Sequence, residues 1–138
     1  MSLDFSGVWK ANLEKSKLLG PVPKAMMVKI EHSDPELAEE ILITRLDASE
    51  DRVVFRCRTT GDEITNSIRG ALVRSRSRWQ GTELVIESWM NLGGRESYFR
   101  DHWSLSADGQ VLTMEHRNDD LAGQMTVLER AQPSDAKR

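Results

Sequence analysis

Cysteine is nearly absent: Cys57 is the single one in 138 residues. That excludes an internal disulfide and any multi-cysteine metal site. Histidine is scarce too. His32, His102 and His116 lie far apart, with no His-Glu-x-x-His spacing, so no metal site is expected. The nine glycines form neither a phosphate-cradling loop nor a Gly-x-Ser-x-Gly elbow. No apolar run approaches the roughly 18 residues that a membrane helix needs. No apolar leader opens the chain. The expected location is cytoplasmic if the chain is complete, and periplasmic or secreted if a signal peptide was removed.

Charge is plentiful and unevenly spread. Charged residues make up 30% of the chain and hydrophobic ones 38%, enough for one domain with a modest core. The net charge is −3. Residues 52–100 reverse the trend, with 9 basic side chains, all Arg, against 5 acidic ones. Such a block suggests nucleic acid, but Val, Ser and Cys separate the arginines where stacking aromatics would be needed. No nucleic-acid partner is expected, and the block reads as the solvated outer face of strands.

The dominant periodicity is two, with turn signals about every 10 residues. It predicts ten strands, at 5–12, 25–33, 37–46, 51–59, 62–68, 71–79, 82–91, 96–106, 110–117 and 123–131. At most one short helix fits, near 13–20, where Pro21 and Pro23 limit it. Residues 1–131 form one domain, and 132–138 are expected to be a flexible tail.

Five turns set registers. A turn at Thr60-Gly61 places Cys57 opposite Ile64, Phe55 opposite Asn66 and Arg58 opposite Glu63. Arg69-Gly70 puts Ile64, Asn66 and Ile68 on the inner face. Gln80-Gly81 sets Ser77 against Leu84, Ser75 against Ile86, Arg78 against Glu83 and Arg74 against Glu87. Gly93-Gly94 sets Ser88 against Phe99, Trp89 against Tyr98 and Glu87 against Arg100. Asp108-Gly109 sets Trp103 against Met114, Asp101 against His116 and His102 against Glu115. On this reading Arg52, Arg56, Arg69, Arg76 and Arg95 stay unpaired. The inner face mixes Ile, Phe, Trp and Met with Asn, Ser and Asp. A dry sandwich core rarely holds so many polar groups, whereas a partly wet barrel does. Closure also removes two exposed sheet edges. The fold class is thus all-β, a single antiparallel meander barrel.

Phe5-Ser6-Gly7-Val8-Trp9-Lys10 resembles the first-strand Gly-x-Trp signature of the calycins, the lipocalins and fatty-acid-binding proteins. Trp79-Gln80-Gly81-Thr82 and the closing Leu128-Glu129-Arg130 are similar to fatty-acid-binding proteins, as is the length. The whole chain also resembles small bacterial lipocalin-like domains of unassigned function. The resemblance implies a barrel that binds a small molecule inside. It departs from fatty-acid-binding proteins in two places. Residues 13–24 are too short for their two-helix lid, and Thr126 and Leu128 stand where their carboxylate-clamping Arg-x-Tyr lies. The lipocalin disulfide is missing as well. Haem, which a lone histidine holds in related barrels, is not expected, nor is another cofactor.

The preferred reading is non-covalent binding or carriage of a small, mostly hydrophobic or amphipathic molecule. The expected wall is Met26, Val28, Phe55, Asn66, Ser75, Ile86, Ser88, Phe99, Asp101, Trp103, Met114 and His116. Ser88, Asp101 and His116 would be the polar anchors. A second reading is a barrel isomerase or hydrolase with His116 as base and Asp101 orienting it. A third is a protein–protein module, with outward Trp89 and Tyr98 as a homodimer patch. Cys57 reads as an inert buried thiol.

Overall fold

Residues that alternate between apolar and polar cannot form a one-sided helix, but they form one-sided strands. Ten such strands make up the computed structural model, which describes residues 3–118 and 123–131. They are β1 (Gly7–Ala11), β2 (Ala25–Ser33), β3 (Glu36–Thr44), β4 (Glu50–Arg58) and β5 (Ile64–Ile68). β6 (Ala71–Gln80), β7 (Glu83–Leu92), β8 (Arg95–Leu105), β9 (Val111–Asn118) and β10 (Gly123–Arg130) follow. One antiparallel sheet runs β4-β3-β2-β1-β10-β9-β8-β7-β6-β5 and curls into a nearly closed barrel. Among the described residues there is no helix, and none long and apolar enough to cross a membrane. Near 13–20 the chain makes a single turn, with the Ser16 N–H donating to the Asn12 carbonyl. The tail expected at 132–138 lies outside the described residues.

Turn chemistry sets the registers. Arg69 and Gly70 both take positive φ, 52° and 83°, as a two-residue type I′ hairpin requires, and Ile68 faces Ala71. Gly93 and Gly94 do the same between β7 and β8. That hairpin places Ser88 opposite Phe99 and Trp89 opposite Tyr98, as expected. The β8–β9 ladder places Asp101 opposite His116 and Trp103 opposite Met114, also as expected.

Two expected registers are corrected. Between β6 and β7 the loop is Gly81-Thr82, one residue later than read from the sequence, so Gln80 faces Glu83. Gly81 alone has positive φ, and a type II′ turn wants glycine first. The shift keeps every side chain on its face but moves each partner by two, so Ser75 faces Ser88 and Ser77 faces Ile86. The second correction is the absence of a β4–β5 ladder: these strands are the two sheet edges. The loop after β4 crosses to β6 instead, where the Gly61 N–H donates to the Ser77 carbonyl. Asn66 fills the gap with its side chain. Its Oδ1 accepts from the Arg56 N–H at 2.9 Å, and its Nδ2 donates to the Arg56 carbonyl at 2.8 Å. The amide thus stands in for a missing strand partner.

The outer arginines find other partners than those expected. Arg58 pairs with Glu36 and Asp62, Arg74 with Glu96 and Glu63, and Arg78 with Glu87. Arg52, Arg69 and Arg76, expected to stay unpaired, reach Glu40, Asp51 and Glu63. Exposed pairs of this kind each contribute only about 0–1 kcal/mol. His102 faces Glu115 in the ladder as expected, while its Nδ1 lies 3.1 Å from Glu83 Oε1 on β7.

One barrel end is plugged. Phe5, Trp9, Leu84, Trp103, Leu112 and Leu128 are buried there. Phe5 stacks on His32 and Trp79 and meets Trp103 edge-on, all with centroids near 5.6–5.7 Å. His32 uses both ring nitrogens. Nδ1 accepts from the Phe5 N–H at 3.1 Å, which leaves Nε2–H to donate to Asp34 Oδ1 at 3.0 Å. The chain closes on itself where β1 meets β10. Arg130 lies 4.3 Å over the Trp9 ring, with its Nη1 donating to the Ser6 carbonyl and its Nε to the Gly109 carbonyl. Gly7 has φ +140°, and a Cβ there would fall 2.5 Å from Arg130 Nη1.

Two stability predictions follow from the seams. Gly7→Ala strains the backbone and displaces the arginine, so urea unfolding should show a loss of about 1–3 kcal/mol. Asn66→Ala strips partners from two backbone groups of Arg56. It should cost about 1–3 kcal/mol and raise amide exchange at Arg56.

Candidate functional site

The plug fills only one end of the barrel. Toward the other end, where the loops 12–24, 45–49, 69–70 and 93–94 lie, the interior opens into a cavity of about 440 Å³. That size falls among ordinary small-molecule sites. Its wall is mostly apolar because each strand from β2 to β9 presents at least one Val, Ile, Met or aromatic side chain inward.

Ten of the twelve expected wall residues line this cavity. Met26 and Val28 come from β2 and Phe55 from β4. Ile86 and Ser88 come from β7, and Phe99, Asp101 and Trp103 from β8. Met114 and His116 complete the set on β9. Two do not line it. Asn66 is spent at the β4–β5 gap, as described above. Ser75 is fully buried and bonded through Oγ to Ser88 Oγ at 2.8 Å, a consequence of the shifted β6–β7 register.

Several wall residues were missed from the sequence. Glu39, Ile41 and Ile43 lie on β3, and Gln124 and Thr126 on β10. The missed signal was parity. Leu37 and Glu39 are buried and Ile41 and Ile43 follow on the same face, so the alternation carries a glutamate inward among apolar neighbours. Thr126, noted as a departure from a carboxylate clamp, faces the cavity, while Leu128 belongs to the plug.

The polar groups form a small set. Asp101 and His116 touch directly, Oδ1 to Nδ1 at 2.6 Å. The His116 ring stacks on Phe99 with centroids 5.3 Å apart. The hydrogen bond from Asp101 holds the His116 pKa above its ordinary value, against the opposing pull of burial. Glu39 sits between Ile30 and Phe55 in the ladders and is 6% exposed. Burial pushes its carboxyl up to about 8, and repulsion from Asp101 adds to the rise. Among the described residues no hydrogen bond or ion pair reaches that carboxyl. No Lys or Arg among the described residues lines the cavity either. No group of three or more potential metal ligands is found among the described residues.

Outside, Trp89 and Tyr98 pack at 5.6 Å, and Arg74 lies 5.9 Å over Trp89. Tyr98 donates its hydroxyl to Glu87 at 2.6 Å. The outward pair is therefore half-buried by its own barrel. Cys57 is buried, its thiol pushed up to about 11 by desolvation.

Comparison with solved structures places this architecture. A crystal structure of a mutant of the fluorescent protein UnaG matches with a TM-score of 0.62 at 18% identity, over 93% of this chain and 96% of that one. The ten-stranded antiparallel barrel is thus similar in fold to a fatty-acid-binding-protein-like protein. No family model matches the sequence, and no curated protein matches it. At this identity the likeness concerns the fold alone.

The buried Glu39 has a measurable consequence. Its carboxyl titrates near 4.5 when unfolded and near 8 when folded. Between these values the folded chain keeps a proton that the unfolded chain releases, so stability falls as pH rises through the window. His116 acts in the same direction. Its raised pKa contributes stability below its unfolded value that is lost as pH climbs through the folded one. Urea unfolding at pH 5 and pH 8 should show a loss of up to about 4 kcal/mol, and Glu39→Gln should remove most of that slope.

Proposed function

We propose that the protein binds a small, mostly apolar molecule non-covalently inside the barrel. The observation that carries this reading is the cavity itself. One barrel end is sealed by Phe5, Trp9 and Trp103, and behind the open end lie about 440 Å³ of mostly apolar wall. A side-chain-filled barrel would leave no such space. The polar groups are few and grouped around Asp101 and His116, which suits orientation of a ligand more than solvation of an empty channel.

The Asp101–His116 pair also supports a second reading, a barrel isomerase or hydrolase with His116 as the base. His116→Ala separates the two: it abolishes turnover in an enzyme and only weakens binding in a carrier.

The neutral dye Nile red should bind the purified protein with enhanced, blue-shifted emission, and native mass spectrometry should show a retained small molecule. Met114→Trp narrows the cavity and should weaken dye binding at least tenfold while leaving thermal melting within a few degrees. Equal dye binding by this variant, with no added mass on the isolated protein, would overturn the reading.

A further inference from the structure

Among the described residues, Glu39 is the one ionisable cavity group without a hydrogen-bond or ionic partner. Ser88 is bonded to Ser75, His116 to Asp101, and the Gln124 Oε1 accepts from the Leu19 N–H. Glu39 is nine-tenths buried, faces the cavity, and has no hydrogen-bond or ionic partner among the described residues. A carboxyl between Ile30 and Phe55 is strongly disfavoured from ionising alone. An apolar side chain there would carry no such penalty, and a ligand that uses the carboxyl gives the position a role.

The surroundings narrow what that is. The titratable groups facing Glu39 are Cys57 on β4, Asp101 on β8 and His116 on β9. Cys57 stays neutral, and the Nδ1 of His116 is taken up by Asp101 Oδ1. A ligand carboxylate entering here would meet two carboxyl groups and no free cation of the wall. A ligand cation would meet two acceptors and relieve their mutual repulsion. Along β3, Ile41 and Ile43 continue from Glu39 toward the open end. The polar end of a ligand therefore lies deep, with its apolar part toward the mouth.

Resting on the reading of the barrel as a small-molecule binder, we propose that its ligand class is the amphipathic amines, with the ammonium group held by the carboxyls of Glu39 and Asp101. Binding then ionises Glu39 and releases its proton to solvent. Affinity for the amine should rise with pH up to about 8, where the free Glu39 carboxyl titrates, and level off above. Deprotonation of His116 leaves Asp101 without its cation and pushes the same way.

The test is displacement of Nile red by decylamine, decanol and decanoate, which share a chain and differ in head group. Decylamine should displace the dye at a concentration at least tenfold below either of the others at pH 8. Its advantage over decanol should shrink below pH 7. In Glu39→Gln, which leaves Asp101 alone with the ammonium, the advantage of the amine over the alcohol should fall to threefold or less, with decanol unchanged. The pH profile of the unmodified protein gives the same answer should the variant melt early. Best displacement by decanoate, or an amine preference undiminished in Glu39→Gln, overturns the proposal and leaves apolar binding standing. If the dye does not bind and none of the three compounds changes tryptophan emission, both readings fall.

Discussion

Arg130 over Trp9 is the contact on which the rest of the barrel depends. It joins the last strand to the first, and its guanidinium also donates to the carbonyls of Ser6 and Gly109. Only glycine at position 7 leaves room for the arginine, since a Cβ there would sit within 2.5 Å of it. With β1 and β10 held together, the first and last strands lie in the middle of the sheet, and the free edges are pushed to β4 and β5. Asn66 then spans those edges with two hydrogen bonds to Arg56. A ladder seals one seam and a single amide the other.

The same closure decides where empty space lies. Trp9, Phe5 and Leu128 consume the volume at one end, and His32 and Asp34 satisfy the polar groups that this plug buries. Among the described residues nothing comparable fills the other end, where Met, Ile and Phe side chains line a cavity. Close packing would normally exclude such a gap. The cavity is therefore a property of the architecture, and its few polar groups stand out against the wall. The tension is greatest at Glu39, a carboxyl held at the boundary between plug and cavity at the expense of stability above neutral pH.

Much of this was legible from alternation and turns. The Asp108-Gly109 signal places Asp101 opposite His116; the connection is longer than the two-residue turn it suggests, with the Gly109 N–H donating to the Ser106 carbonyl, but it is centred on the same point and so keeps the register. Gly81 was harder. A glycine serves either the first or the second turn position, and the choice moves partners by two without changing faces. Inner and outer sets were therefore right for β6 and β7, while the cross-strand partners were not. Ser75 was misplaced for that reason. Asn66 was misplaced for a different one: its neighbours in sequence contain no sign that β4 and β5 separate. Glu39 lay in plain view within Leu37-x-Glu39-x-Ile41 and was passed over because a charged residue is usually assigned outward.

The sequence by itself determined the number of strands, their faces and most of their turns. Each of these rests on interactions within about ten residues, so period and turn chemistry carry them. Only the tertiary structure decided that the Arg-rich strands share their charge with Glu36, Asp51 and Glu96, that one seam is a side chain, and that a carboxyl faces the cavity without a partner. These depend on which strands come together around the barrel and how much room the side chains leave there, and no local pattern encodes either.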